Sequence, residues 1–196
     1  MSASPELAGG VAYLTRWSDE TTDGGAVIDY PFYRPTPTEL AAFIASQGMG
    51  RLVTANAEGC PHIGLYPFVT DGDAVEVHLV KGDGQVADIR QNPRVVFEVD
   101  EILAFMPSYL EHPESGQKAD HHYRTAMIEG EARIADEPEA VAEHLGRLIA
   151  RYQPEGRYRP VTATDPMYAP GVDRLVMIRV EPTRVWAKFK LGQQPR

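Results

Sequence analysis

The sequence predicts a mainly β, α+β fold built around an antiparallel barrel with peripheral helices. Six or seven segments with β-type patterning follow one another at short spacing, whereas only two long amphipathic helices are indicated. A parallel sheet needs a long crossover, usually a helix, between its strands, so these helices are too few for a parallel α/β fold. An antiparallel barrel needs only short turns between strands and fits the pattern better.

Composition narrows the class of protein further. The chain has 196 residues with 43% hydrophobic content, which fits one globular domain of residues 29–196 preceded by a polar arm, residues 1–28. A net charge of −9 makes direct DNA binding unlikely and favours a small-molecule protein. A single cysteine, Cys60, excludes an internal disulfide. No apolar run is long enough for a membrane span and the N-terminus lacks a signal-peptide pattern, so we expect a cytoplasmic protein.

The first half of the domain begins with a helix signal and continues with β-type segments. Thr36-Pro37-Thr38-Glu39 has the pattern of a capping box, and apolar residues at one-face spacing follow as far as Gly48. Extended segments and turns come next. The predicted strands here are 50–55, 61–70 and 74–80, separated by turns at 56–59 and 71–73.

Residues 77–85, VHLVKGDGQ, are the most informative stretch of the chain. A predicted strand ends in a lysine and two glycines, and a short helix follows over Gln85–Gln91. The start of a helix presents free backbone N–H groups and a positive dipole end, and Lys81 adds a full positive charge. This arrangement suits a phosphate group, although many surface turns share the pattern.

The second half contains longer β-type segments and one more helix. RVVFEV (94–99) reads as a strand, 106–120 as a long loop, and 122–135 as a strand that bends at Gly130. Asp136 is the predicted cap of a helix with Pro138 in its first turn. After a connection rich in proline, glycine and tyrosine (153–171), two strands are predicted over 174–181 and 184–190.

Several segments resemble the FMN-binding split-barrel superfamily of pyridoxamine phosphate oxidase, in the order that this superfamily has them. They are YRPTPTELAAFI (33–44), GRLVTANAEGCPHIGLYPFVTD (50–71), VHLVKGDGQ (77–85), FMPSYL (105–110) and KFKLGQQ (188–194). The chain most resembles the PaiB-type FMN-binding proteins of this superfamily. The segment YRTAMIEG (123–130) is instead similar to the nitroimidazole-reductase branch. Asp83 and Gly192 stand where the family usually has asparagine and serine.

The resemblance implies a six-stranded split barrel that forms a homodimer with two flavins at its interface. FMN is the expected cofactor, with FAD as the alternative, and the expected activity is electron or hydride transfer to a small molecule. The resemblance places Lys81, Gly82 and Gln85 at the flavin phosphate, with His78 and Leu79 beside them. It places Leu52, Val53, Thr54 and Ala55 along the flavin ring. With weaker support, it also places Arg124, Lys188 and Lys190 at the flavin.

Alternative interpretations of individual residues stay open at this point. Lys81 fits an ordinary exposed lysine, His78 fits a hydrogen-bonded wall residue, and Thr54 fits a plain strand residue. His121 and His122 are adjacent, so on a strand they point to opposite faces and cannot chelate together, but either could bind haem as a single axial ligand. Two rival functions stay open. One is a flavin-binding transcriptional regulator without turnover, and the other is a haem-binding or haem-degrading protein. No catalytic residue is assigned by the sequence.

Overall fold

The computed structural model describes residues 30–192, so the predicted arm, residues 1–28, lies outside the described residues. Within these residues, seven strands and four helices follow one another along the chain in the order α1, β1, β2, β3, β4, α2, β5, β6, α3, α4 and β7. The strands are β1 Met49–Ala55, β2 Pro61–Pro67, β3 Val69–Asp71, β4 Ala74–Val80, β5 Arg94–Met106, β6 Asp120–Ala135 and β7 Leu175–Lys190. The helices are α1 Pro37–Ser46, α2 Gly84–Gln91, α3 Pro138–Tyr152 and α4 Ala169–Val172.

All seven strands belong to one antiparallel sheet with the order β2-β1-β5-β6-β7-β4-β3. The two edge strands, β2 and β3, are separated in sequence only by Phe68. The sheet must therefore curl until its edges meet, which produces the predicted split barrel. The barrel has seven strands where the resemblance implied six, and the segment predicted as one strand over 61–70 divides at Phe68 into β2 and β3.

Tyr152, the last residue of helix α3, contacts the backbone of Phe68 between β2 and β3. Phe68 is fully buried, and its ring centroid lies 5.1 Å from that of Phe97 inside the barrel. The hydroxyl of Tyr152 accepts from the N–H of Phe68 at 3.4 Å, and it contacts the carbonyls of Gly48 and of Phe68, the latter at 3.1 Å. A side chain thus bonds the backbone groups that lie between the two sheet edges.

The last two predicted strands are in fact the single strand β7. Glu129 pairs with Arg184 and Gly130 pairs with Pro182, so Thr183 is the extra residue of a β-bulge. The two predicted strands were separated at Pro182 and Thr183, but a bulge accommodates proline without ending the strand. β5 also extends to Met106, seven residues beyond its predicted end, and the loop shortens to 107–119.

The barrel interior holds the main hydrophobic core, to which α1 and α2 contribute. The predicted capping box at α1 is confirmed, because the side chain of Thr36 accepts from the N–H of Glu39 and the Glu39 carboxylate accepts from the N–H of Thr36. The predicted cap of α3 was one residue early, since Glu137 rather than Asp136 precedes the first turn. Within residues 30–192 no helix has the length and apolarity needed to cross a bilayer.

Candidate functional site

A cleft of about 440 Å³ opens on the outward face of the sheet. Its walls come from the end of β1, the starts of β2 and β5, the middle of β6 and the bulge of β7. This volume falls within the range of small-molecule binding sites. The lining residues are Val53, Thr54, Ala55, Pro61, Arg94, Val95, Val96, Glu129, Gly130, Glu131 and Thr183.

Three of the four residues predicted along a flavin ring line this cleft. Val53 and Ala55 alternate with the buried residues of β1 and therefore face outward, and Val53 pairs with Val96 on the neighbouring strand. Thr54 also contributes to the wall. Leu52 is fully buried in the barrel interior and does not line the cleft.

Gln85, predicted beside a phosphate, instead joins α2 to β1 and β2. Its amide Nε2 donates to the carbonyl of Leu52 at 2.9 Å and to that of His62 at 3.2 Å. Its Oε1 accepts from the hydroxyl of Tyr66 at 2.7 Å. Because the side chain is only 5% exposed and both ends are bonded, it holds the helix against the hairpin rather than pointing to solvent.

The loop before α2 has one cation and one anion. Lys81 and Gly82 are exposed, and a Cβ at Gly82 would meet no atom within 4 Å. The Asp83 carboxylate caps the helix by accepting from the N–H of Gln85 at 2.8 Å. Burial and then the charge of Asp83 raise the pKa of Tyr66. A phosphate here would gain the charge of Lys81 but would lie near the carboxylate of Asp83.

His78 and Leu79 point to opposite sides of β4. Leu79 is buried in the barrel core. The His78 ring lies under α3, where its Nδ1 is 3.3 Å from Nε2 of the fully buried His144. Burial, and then the proximity of His144, lower the pKa of His78 to about 4. This contact places His78 in a packed polar cluster between β4 and α3.

The lowered pKa of His78 predicts that acid weakens the fold. The unfolded chain takes up a proton near pH 6.5 and the folded chain only near pH 4, so the stabilisation is complete above about pH 6.5 and is lost as the pH falls towards 4. We expect the free energy of unfolding to fall by about 2–3 kcal/mol across this window. Chemical denaturation from pH 7 to pH 4 measures it, and His78→Gln should flatten the curve whereas the exposed control His112→Gln should not. Identical pH dependence in both variants would contradict this prediction.

Arg124 lies near the start of β6, next to Lys188 and Lys190 at the end of the neighbouring strand β7. The Lys188 ammonium is 5.3 Å from the ring centroids of Tyr30 and Tyr33, within cation–π range. Lys190 forms an ion pair with Asp120, and this pairing raises the pKa of the lysine.

Arg124 is only partly engaged by its neighbours. Its guanidinium lies 5.5 Å from the centroid of the Phe189 ring and 3.6 Å from the Glu101 carboxylate. Its Nε atom is buried without a hydrogen-bond partner among residues 30–192. An unpaired buried donor is costly unless a ligand or another chain supplies an acceptor.

The predicted residues thus fall into separate groups that one protomer does not bring to one point. The N–H of Lys81 bonds to the carbonyl of Arg174, just before β7 begins, whereas Lys188 lies near the other end of β7. At 3.3 Å per residue, roughly 40 Å of strand separates them. If all the predicted residues act on one flavin, two copies of the chain must share it.

His121 and His122 lie at the start of β6 and point to different sides, as predicted. His121 is exposed, and its ring centroid lies 4.8 Å from that of Phe105. His122 is half-buried, and a Cβ at Gly192 would contact its ring at 3.5 Å. Within the described part of the chain, no three histidine, cysteine or acidic residues group as a metal site.

Sequence reasoning missed a polar cluster between the β1–β2 hairpin and α2. Asp88 is 4% exposed, and its Oδ2 accepts from the hydroxyl of Thr54 and lies 2.7 Å from Nδ1 of His62. The hairpin register contained a signal, because the turn at 56–59 pairs Thr54 with His62 and puts both side chains on one face. The contact with α2 depends on the fold and had no local signal.

Comparison with solved structures defines the class of fold. A conserved hypothetical protein from Mycobacterium tuberculosis superposes with a TM-score of 0.62 at 21% identity, covering 87% of this chain and 97% of that one. A proposed 5-nitroimidazole antibiotic resistance protein from Bacteroides thetaiotaomicron gives 0.59 at 15% identity, covering 77% and 82%. An FAD and haem binding protein from Mycobacterium smegmatis gives 0.65 at 13% identity, covering 81% and 73%. These structures share the split-barrel fold of the FMN-binding superfamily.

The family follows from the sequence itself. The family model described as pyridoxamine 5'-phosphate oxidase matches residues 36–189, which is most of the chain. The chain therefore belongs to the pyridoxamine 5'-phosphate oxidase family, and the superfamily predicted from the sequence motifs is confirmed. No protein among the curated ones matches the chain.

Proposed function

We propose that this protein is a flavin-dependent oxidoreductase that binds FMN between two identical subunits and acts on a small molecule. The observation that carries the proposal is the outward cleft, whose wall contains the hairpin residues Val53–Ala55 that the sequence placed beside the flavin ring. The family and the flavin-binding protein of similar fold support it. FAD is the alternative cofactor.

An apolar surface next to the cleft supports the proposed homodimer. Ile63 and Leu65 lie on the edge strand β2 and are 66% and 55% exposed. Ile63 pairs with Val53, so this surface continues directly from the cleft wall. Ile102 is 77% exposed on the long hairpin of β5 and β6. Exposed apolar side chains of this kind are typical of protein interfaces, and a second copy would cover them.

Two buried donors outside the cleft lining have no partner among residues 30–192 and would suit a flavin that extends beyond the cleft. Trp186 pairs with Met127 on the outward face, and its indole Nε1 is buried without an acceptor among residues 30–192. The Arg124 Nε is a second such donor. An isoalloxazine ring offers carbonyl and ring-nitrogen acceptors, and a bound flavin would supply the hydride or electron transfer. In this proposal Val53 and Ala55 position the ring, and Lys81 binds the phosphate.

The visible spectrum of the purified protein tests the proposed cofactor. We expect flavin absorption that passes with the protein through gel filtration, and a chromophore with the mass of FMN when the protein is denatured. A colourless protein that takes up neither FMN nor FAD when reconstituted would contradict the proposal.

Lys81→Ala should weaken FMN binding. The variant removes the positive charge of the loop before α2, so the free energy of FMN binding should become less favourable by about 1.5–3 kcal/mol, the scale of one hydrogen bond to a charged group. Quenching of flavin fluorescence measures the constant. The control Lys118→Ala removes an equivalent charge from the 107–119 loop and should leave binding unchanged. An unchanged constant for Lys81→Ala would place the phosphate elsewhere.

A haem-binding function is the second candidate, because His121 is exposed beside Phe105 and one protein of similar fold binds haem as well as FAD. The expected sign is a Soret band that is lost in His121→Ala or His122→Ala. A PaiB-like regulatory function would instead give a sequence-specific gel shift that survives physiological salt. The net charge of −9 weighs against direct DNA contact.

A further inference from the structure

The cleft on the outward face has two unlike walls. On the side of the β1–β2 hairpin, Val53, Ala55 and Pro61 present only apolar side chains. On the side of β6, the lining includes two glutamates, Glu129 and Glu131. The residues between and beside them are buried, so both glutamates project from the outward face of the strand, with their Cα atoms about 7 Å apart.

The two carboxylates are not neutralised by the cations nearest to them in the sheet. Neither glutamate forms an ion pair within residues 30–192. Arg184 is the cross-strand partner of Glu129, but its guanidinium lies 3.8 Å from the centroid of the Trp186 ring. Arg94, opposite Glu131, is the one cationic side chain of the lining. With both carboxylates ionised, the lining therefore has a net charge of −1.

The backbone that carries the glutamates is held in place. The hydroxyl of Thr183 donates to the carbonyl of Glu129 at 3.2 Å. Between the glutamates, Gly130 packs so closely on β7 that a Cβ there would lie 2.4 Å from the carbonyl oxygen of Glu181. Two like charges fixed on neighbouring outward positions repel each other, and a cation bound between them would relieve that repulsion.

We propose that the substrate of this cleft carries a positively charged nitrogen group, such as an amine or an amidinium, and that Glu129 and Glu131 select it. The apolar wall would hold the uncharged part of the substrate, and the carboxylates would accept charge-assisted hydrogen bonds from its cationic end. The inference rests on the proposed function in one respect, namely that the selected molecule is the substrate of the flavin. The role assigned to the glutamates is binding and orientation.

Three small probes of nearly the same planar shape test the preference for positive charge. They are benzamidine, which is a cation, benzamide, which is neutral, and benzoate, which is an anion. Isothermal titration calorimetry on the purified protein, with any cofactor it retains, measures their dissociation constants. We expect benzamidine to bind about tenfold more tightly than benzamide, and benzoate to bind more weakly than benzamide. Added salt should reduce the difference, because it screens the charges.

Substitution of both glutamates tests the residues assigned to this preference. The double variant Glu129→Gln with Glu131→Gln keeps the shape of the wall but removes its negative charge. Benzamidine affinity should fall about tenfold, whereas benzamide affinity should change less than about twofold. The matched control is Glu137→Gln with Glu139→Gln, an exposed pair with the same spacing at the start of α3, which should change neither affinity. Arg94→Gln removes the cation of the lining and should strengthen benzamidine binding.

The outcomes separate this inference from the proposed function. Equal affinities for benzamidine and benzamide, no binding of benzamidine at millimolar concentration, or a preference that survives the double variant would each overturn the inference, while the flavin function stands. A charge preference that the double variant abolishes, in a protein that binds neither FMN nor FAD, would support the cation site and contradict the flavin function. Circular dichroism verifies the fold of each variant, and the two single variants replace the double one should it not fold.

Discussion

Gly130→Ala should strongly destabilise the fold. A Cβ at Gly130 would lie 2.4 Å from the carbonyl oxygen of Glu181 and 2.9 Å from Cγ1 of Val180. The first obstacle is backbone of the paired strand β7, so the methyl group can be accommodated only if the two strands separate. We expect a loss of about 3 kcal/mol or more in the free energy of unfolding, above the usual cost of overpacking.

The same glycine also shapes the proposed site. Gly130 lines the cleft and pairs with Pro182, beside the Thr183 bulge, so separating β6 from β7 there should weaken flavin binding as well. Gly146→Ala in α3 is the matched control, since a Cβ there meets nothing within 4 Å and alanine favours the helix. Urea denaturation of both variants measures the difference. A Gly130→Ala protein as stable as the Gly146→Ala protein would contradict the strand geometry described for β6 and β7.

Glu76→Gln should cost about 3 kcal/mol at neutral pH. Glu76 is 1% exposed on β4, and its Oε1 accepts from Arg179 at 2.6 Å while Oε2 is paired with Arg147. Nδ1 of the buried His144 is 3.5 Å from Oε2. Burial alone would raise the pKa of Glu76, but the nearby His144, the hydrogen bond from Arg179 and the charge of Arg147 lower it to about 2. The glutamine keeps the shape but removes the charge that these cations face.

The pH dependence of stability separates this effect from a loss of packing. Because the pKa of Glu76 is lowered in the folded state, its contribution is complete above about pH 4.5 and is lost as the pH falls towards 2. The shift corresponds to about 3 kcal/mol, and Glu76→Gln should lack that acid transition. Glu143→Gln is the control, because Glu143 also pairs with Arg147 but is 72% exposed and should contribute under 1 kcal/mol. Equal losses in the two variants would contradict the assignment.

Features fixed by neighbouring residues could be predicted from the sequence. The capping box at Thr36, the turns that delimit β1 and β4, and the short helix after Lys81 all depend on local residue preferences. The family could be recognised because its motifs keep their order along the chain. Val53, Thr54 and Ala55 then follow from one of those motifs, and they line the cleft.

Features fixed by distant contacts could not be predicted. The break between β2 and β3 depends on Tyr152, which is 84 residues from Phe68 in sequence. The merging of the last two strands depends on pairing between β7 and β6 at Gly130. The structural use of Gln85 and the contact of His62 with Asp88 require α2 to pack on the hairpin. Each of these features depends on which distant segments the closed barrel brings into contact, and the local preferences of the residues do not determine those contacts.

A crystal structure of the protein with FMN tests the central claim most directly. We expect a dimer in which each isoalloxazine ring lies against Val53 and Ala55, beneath residues of the second subunit, with the phosphate near Lys81. A monomer whose cleft stays empty at saturating FMN, or a flavin bound away from this cleft, would contradict it.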